Sequence, residues 1–184
     1  MLLEKRNFLN TTEFQNSFGF LNGDMAFPWF YSKNTAYGMA EDNHQLWDFS
    51  FSHVVAVDGQ GSSPLTEKSM LLAENICRSF DLGALEIKRI RLGMMTKTPT
   101  NFTHNPHVDF SFPHLTALFY LTTCNGPTVL YDQKFPNDSF LKTQQLVQSE
   151  ENKVVIFDGL QYHASTTQTD KKQRIVMNIN FKVK

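Results

Sequence analysis

Two periodicities divide the chain. Phe14, Phe18 and Leu21 recur at helical spacing behind Thr11 or Thr12, either of which would cap a short helix ending near Asn22-Gly23. A second stripe, Leu65, Leu72, Ile76 and Phe80, follows Ser63-Pro64, a capping residue with proline at the first helical position, and runs down to Gly83. That helix is amphipathic, so one face should cover a sheet. Elsewhere the pattern belongs to strands. In WDFSFSHVVAVDG, Phe49, Phe51, His53, Val55 and Val57 alternate with smaller or polar residues until Asp58-Gly59 ends the run. AFPWFYS contains Pro28 and reads as an edge strand or a loop packed on the core. ALEIKRIRLGMM, PHLTALFYLTTC, TVLYD, NKVVIFDG and RIVMNINFKV follow as short strands, with Asn125-Gly126-Pro127 as a turn. Close strand spacing predicts a mainly β (α+β) sandwich or barrel flanked by N-terminal helices.

Composition narrows the setting. A chain of 184 residues, 41% hydrophobic and with 17 phenylalanines, can bury a core without disulfides, and one domain spanning 1–184 is expected. The net charge of -1 offers no basic attraction for phosphate backbones or anionic membranes, so nucleic acid is not a favoured partner. Cys77 and Cys124 form no Cys-x-x-Cys pair and read as buried small residues of a reducing compartment. MLLEKRNFLN lacks the apolar stretch of a signal peptide, and no run is long enough to cross a membrane as a helix. A soluble cytoplasmic protein is the expectation.

Four positions carry chemistry: His107 and Asp109 in HNPHVDF, His163 in FDGLQYHAS, and Arg174 in KKQRIVMNINF. Imidazole nitrogens and a carboxylate oxygen suit a borderline divalent metal, and two histidines with one carboxylate leave positions open for substrate or oxygen. On a strand, His107 and Asp109 would leave the same face. Other readings stand beside this one. His163 can be a half-buried histidine bonded to backbone. His104 and His114 can join His107 and Asp109 in a local zinc cluster, which leaves His163 and Arg174 unexplained, or each can be a loop histidine reaching solvent or substrate. The strand from Arg174 has two unlike faces. Ile175, Met177, Ile179 and Phe181 are continuously apolar, while Arg174, Val176, Asn178 and Asn180 form the other face. Either the polar side faces water at a sheet edge, or it lines a cavity in which the guanidinium grips a carboxylate and Asn178 and Asn180 point at the same site.

With these motifs the chain resembles the iron(II)- and 2-oxoglutarate-dependent dioxygenases, in particular the prolyl 4-hydroxylase-like branch with its small members in phages and bacteria. The likeness runs from about Leu85 to the end and more weakly through FLN and FPWFYS. It implies a double-stranded β-helix (jelly-roll, cupin-like) core at 85–184, supported by N-terminal helices and strands at 1–84. His107, Asp109 and His163 would be the catalytic iron ligands. Arg174 would bind the far carboxylate of 2-oxoglutarate, assisted by Tyr120 of ALFYL, which shares a face with Thr116 and Leu118; a core tyrosine satisfied elsewhere is the alternative. Iron(II), 2-oxoglutarate and dioxygen are the implied cofactor and co-substrates, and ascorbate is compatible with them. The implied reaction hydroxylates an unactivated C–H bond, of a peptidyl proline or related substrate, with release of succinate and CO2; the location would be a host-cell cytoplasm for a phage-encoded chain. Hydroxylation of a free amino acid or small molecule, a jelly-roll that binds metal or a small acid without catalysis, and a zinc hydrolase using His104 and His107 are the competing functions. The mouth is expected between Asp109 and His114, near Asp132 to Asp138, and along Phe27 to Tyr31. Two features depart from the branch: Met94 and Met95 stand where relatives often carry a tyrosine, and Val176 and Asn180 break the Arg-x-Asn-x-x-x-Arg pattern of nucleobase demethylases.

Overall fold

The computed structural model describes residues 2–23, 26–36, 46–136 and 140–183. Among the described residues ten strands form two antiparallel sheets. Strands β1 (Leu2–Lys5), β2 (Phe30–Ser32), β3 (Ser50–Val57), β4 (Leu85–Thr96), β5 (Leu115–Tyr120), β8 (Lys153–Asp158) and β10 (Gln173–Val183) make a seven-stranded sheet in the order β1-β8-β5-β10-β4-β3-β2. Strands β6 (Cys124–Lys134), β7 (Thr143–Ser149) and β9 (Gln161–Ser165) make a three-stranded sheet in the order β7-β6-β9. Mostly β structure in facing antiparallel sheets matches the jelly-roll expectation.

The alternation in β10 decides where things lie. Its apolar face, Ile175, Met177, Ile179 and Phe181, joins Ile90, Leu92 and Phe119 under helices α1 (Thr11–Phe18) and α2 (Thr66–Ser79). Phe119 is fully buried and meets the edges of Phe14 and Phe18 at centroid distances of 6.0 and 5.6 Å. Such pairs contribute about 0.5–1.5 kcal/mol each beyond area burial. The opposite face of the large sheet packs Leu118, Tyr120, Val155, Phe157 and Val176 against Leu130 and Val147 of the small sheet. Polar residues of that inner face are thereby enclosed between two sheets rather than left at an edge.

Local boundaries depart from the sequence expectations for identifiable reasons. Asn10, not Thr11 or Thr12, caps α1: its backbone is extended and its Oδ1 accepts from the Glu13 N–H at 2.9 Å. The helix then tightens into a 3-10 turn over Gly19–Asn22. Helix α2 begins at Thr66 rather than beside Ser63, because the Ser63 hydroxyl is engaged by His53 Nε2 at 2.8 Å and by the Leu65 N–H at 3.2 Å. Asn125-Gly126-Pro127 lies inside β6, at a register shift between Cys124 and Thr128, instead of forming a free turn. Among the described residues no helix is long and apolar enough to cross a membrane.

Candidate metal and dicarboxylate site

The small sheet brings His163 to the site. His163 sits in β9 opposite Leu130 of β6, and its main chain exchanges two hydrogen bonds with His107, at 2.9 and 3.0 Å. This isolated bridge fixes the loop bearing His107 and Asp109 against a strand, and the two imidazoles lie 4.6 Å apart between centroids. Each ring faces a carbonyl two residues back through Nδ1: His107 to Asn105 O and His163 to Gln161 O, both at 3.2 Å. A protonated Nδ1 held in this way leaves Nε2 as the lone-pair nitrogen. His163 Nε2 lies 3.6 Å from Asp109 Oδ2, and donor atoms of His107, Asp109 and His163 all fall within 4.8 Å of one another.

Asp109 is held on both oxygens. Arg89 of β4 donates to Oδ1, while the side-chain amides of Asn178 and Asn180 each donate to Oδ2 at 3.0 Å. The two asparagines therefore do face the site, and the group they hold is the Asp109 carboxylate. Asn180 also donates to Thr116 Oγ1 at 3.1 Å. Burial alone would raise the Asp109 carboxyl, but His163, Arg89, His107 and the Asn178 amide outweigh it and keep it well below the usual carboxylate range. Burial pushes both histidines the other way. His107 is lowered to about 4, and His163 is lowered despite the pull of Asp109 and the Gln161 carbonyl. Two neutral imidazoles and one ionised carboxylate are the forms in which these side chains ligate metal.

Arg174 lies on the same inner face and is 2% exposed. Its Nε donates to the Gly126 carbonyl at 2.8 Å and its second amino group to Thr128 Oγ1 at 2.9 Å. Among the described residues no carboxylate pairs with it. A buried guanidinium with only neutral partners lacks a counter-ion, and a buried charge of that kind costs several kcal/mol unless one is supplied. Thr128, which the sequence reading did not single out, is the organising contact. Its hydroxyl accepts from Arg174 and also from Tyr120 at 2.9 Å. With two bonds accepted, its own proton remains to donate. Tyr120 is fully buried and reaches the site through Thr128.

Arg174, Thr128, His107 and His163 line one cavity of about 80 Å³, together with Gly93 and Met95 of β4. Gly93 keeps that space clear: a Cβ there would meet only the Val176 carbonyl, at 4.0 Å, so any larger side chain would extend into the cavity. Met94 and Met95 both line the cavity wall. His104 and His114 stand apart from the donor cluster and, instead of reaching solvent from loops, are both buried. His104 bonds Ser165 O at 2.9 Å, and His114 bonds Phe112 O at 2.8 Å and packs against Gly159. The local zinc cluster is not assembled among the described residues. Of the expected mouth, Tyr31 lies 6.0 Å between ring centroids from Phe51, a residue outside that expectation that lines the cavity; residues 137 and 138 of the Asp132 to Asp138 loop lie outside the described residues.

No family model matches the chain, and no curated protein does. Solved structures do match in fold. An oxidoreductase of the 2OG-Fe(II) oxygenase family from Burkholderia pseudomallei aligns with a TM-score of 0.67 at 13% identity, covering 100% of this chain and 85% of that one. A prolyl hydroxylase from Trichoplax adhaerens, in complex with a hypoxia inducible factor peptide fragment, aligns at 0.57 and 12% identity over 99% of this chain and 83% of its own. The epimerase SnoN in complex with Fe3+, alpha ketoglutarate and nogalamycin RO aligns at 0.61 and 12% identity over 98% and 78%. The chain has the fold of the 2OG-Fe(II) oxygenases, including prolyl hydroxylases.

Proposed function

We propose that this protein is an iron(II)- and 2-oxoglutarate-dependent dioxygenase that hydroxylates an unactivated C–H bond. The observation that carries the reading is the buried Arg174, which has no carboxylate partner among the described residues and shares one cavity with His107 and His163. A metal site alone needs no such cation; a dicarboxylate reaching from metal to guanidinium does. His107 Nε2, His163 Nε2 and Asp109 would hold iron(II), a set that leaves three positions of an octahedral ion free. Bound there, iron and dioxygen supply the oxidation: one oxygen atom enters succinate as CO2 leaves 2-oxoglutarate, and the other becomes the hydroxyl of the product.

The remaining work falls to this chain's own residues. Arg174 and the free proton of Thr128 would receive the far carboxylate, and Tyr120 holds Thr128 in place. Arg89, Asn178 and Asn180 orient Asp109, and the enclosing sheets exclude water. For the substrate, a peptidyl proline or similarly extended peptide is the finer reading. It is supported by the fold shared with a peptide-bound prolyl hydroxylase and by Phe51 at the cavity with Tyr31 packed on its edge, aromatic surfaces that suit a pyrrolidine ring. Anaerobic addition of 2-oxoglutarate to the iron(II)-loaded protein tests the class: a visible metal-to-ligand band should appear, and activity with zinc but without oxygen would instead support a hydrolase. Peptide arrays that show no oxygen-dependent mass gain, alongside turnover of a free amino acid, would remove the peptide reading.

A further inference from the structure

Three arginines reach the inner face of the large sheet. Arg89 is paired with Asp109, and Arg174 with Thr128 and the Gly126 carbonyl. Arg91 has no ion pair or hydrogen bond among the described residues, and its Nε is buried without a partner. It lines the same cavity as His107 and His163. Thr35 also lines the cavity with a buried, unpartnered hydroxyl, but Ser32 stands opposite Ser50, so Thr35 follows at the Met95 and Arg174 end of the sheet. Ser52 of β3 lines the cavity too. It pairs with Gly93 while Val54 pairs with Arg91, so Ser52 lies diagonally beside the arginine on one face.

Position along the sheet separates this group from the co-substrate anchor. Arg91 pairs with Asn178, whereas Arg174 pairs with Met95 four residues further along β10, about 13 Å away at roughly 3.3 Å per residue. Arg91 is thus level with Asp109 and the metal ligands rather than with the dicarboxylate's far end. Polar groups desolvated in a cavity cost free energy until a ligand satisfies them. A planar guanidinium with a hydroxyl on the neighbouring strand matches a carboxylate, which takes two parallel N–H bonds and leaves lone pairs for the hydroxyl.

We propose that Arg91, with the Ser52 hydroxyl, is an anion subsite that binds a carboxylate of the substrate beside the metal. This rests on the dioxygenase reading and narrows it: the substrate is an acid, whether a free amino acid or a peptide presenting a carboxylate next to the reacting carbon.

The probe is acetate, with its neutral isostere acetamide, on protein loaded with manganese(II) and the unreactive 2-oxoglutarate analogue N-oxalylglycine. Paramagnetic broadening of the methyl proton signal reports residence near the metal. Acetate should broaden saturably in the millimolar range, and acetamide at least tenfold less. Arg91→Gln should reduce acetate affinity at least tenfold, with N-oxalylglycine affinity within threefold of the parent. Ser52→Asp, which supplies Arg91 with an internal carboxylate, should abolish acetate broadening in a folded protein. Equal broadening by acetate and acetamide, or acetate binding retained in either variant, overturns the subsite. A parallel loss of N-oxalylglycine affinity in Arg91→Gln reassigns Arg91 to the co-substrate, and tighter binding of inorganic phosphate than acetate overturns the carboxylate. Absence of N-oxalylglycine binding to the parent protein is a separate result, which removes the dioxygenase reading itself and the subsite with it.

Discussion

Replacing Arg174 with leucine should separate ligand binding from stability. In the metal-loaded protein the variant leaves the far carboxylate of 2-oxoglutarate in a dry pocket with no cation, a loss of about 2–5 kcal/mol for one partner of a buried charged pair. At about 1.4 kcal/mol per tenfold, affinity falls roughly 30-fold to several-thousand-fold. The ligand-free protein tells a different story. Removing the side chain costs two charge-assisted hydrogen bonds, to Gly126 O and Thr128 Oγ1, at about 1.5–3 kcal/mol each. It also removes a 2% exposed charge with no anionic partner among the described residues, whose desolvation costs several kcal/mol. The terms nearly cancel, so apoprotein stability should change by no more than about 2 kcal/mol, or roughly 4–8 °C in Tm for a chain of this length. Scanning fluorimetry at a 2-oxoglutarate concentration about 100 times the parent Kd should show a gain of about 2.7 kcal/mol for the parent and almost none for the variant. Calorimetric titration with manganese(II) should find metal affinity nearly unchanged. Equal loss of metal and 2-oxoglutarate affinity, or an apoprotein destabilised well beyond 2 kcal/mol with 2-oxoglutarate binding retained, would refute the reasoning and make Arg174 a structural residue.

Thr128→Val should weaken 2-oxoglutarate about 10- to 100-fold, since it removes a charge-assisted bond; Tyr120→Phe should cost only a few-fold, and the double variant should be less than additive, because Tyr120 acts through Thr128. Asn180→Asp puts a second carboxylate beside Asp109 at a fully buried position, so calorimetry should find an apoprotein destabilised more than in Asn180→Ala, and parent-like stability would count against the Asn180–Asp109 contact. Gly93→Val should leave the fold intact, judged by Tm, and abolish N-oxalylglycine binding by filling the cavity; retained binding would mean the ligand lies elsewhere. For pH, burial holds His107 at about 4 in the native state against 6.5 for the free side chain. Between these values the unfolded chain binds a proton that the native chain does not, so stability of the metal-free protein rises with pH across that window and is lost as pH falls from 6.5 toward 4. Urea midpoints should follow this slope, and the His107→Asn protein should show a shallower one.

Residue type and alternation made part of the candidate site legible. His107, Asp109, His163 and Arg174 could be picked out because metal ligation and carboxylate binding admit few side chains, and because the two faces of β10 differ so sharply. What stayed hidden depends on register between strands distant in sequence. Thr128 looks like an ordinary strand residue in TVLYD; only the irregularity of β6 around Gly126 brings its hydroxyl between Arg174 and Tyr120. Arg89 and Arg91 share a face in IKRIRLG, but nothing local says that this face meets Asn180 and Asn178 across the β4–β10 ladder. Strand β9 has five residues and β7 is largely polar, too short or too weakly patterned to register as strands, although β9 carries His163. Helix boundaries failed where a tertiary partner took the capping group, as His53 does with Ser63.

Charge in the cavity makes the two binding events interdependent. Three guanidinium groups, Arg89, Arg91 and Arg174, face one carboxylate, Asp109, among the described inner-face residues at the site, and the histidines are neutral at physiological pH. A site of this charge attracts anions and resists a dication, despite the His107, Asp109 and His163 donors that could hold one. A dianion seated on Arg174 would remove that resistance, and by linkage the metal would return the same free energy to the dianion. Metal affinity should therefore rise when 2-oxoglutarate is present, even before direct chelation is considered. An acidic substrate at Arg91 would extend the same logic, since each anion that enters lowers the cost of keeping the metal. Neutral substrates could not contribute this term, which gives the acidic character of the substrate a role in holding the assembled site together as well as in recognition.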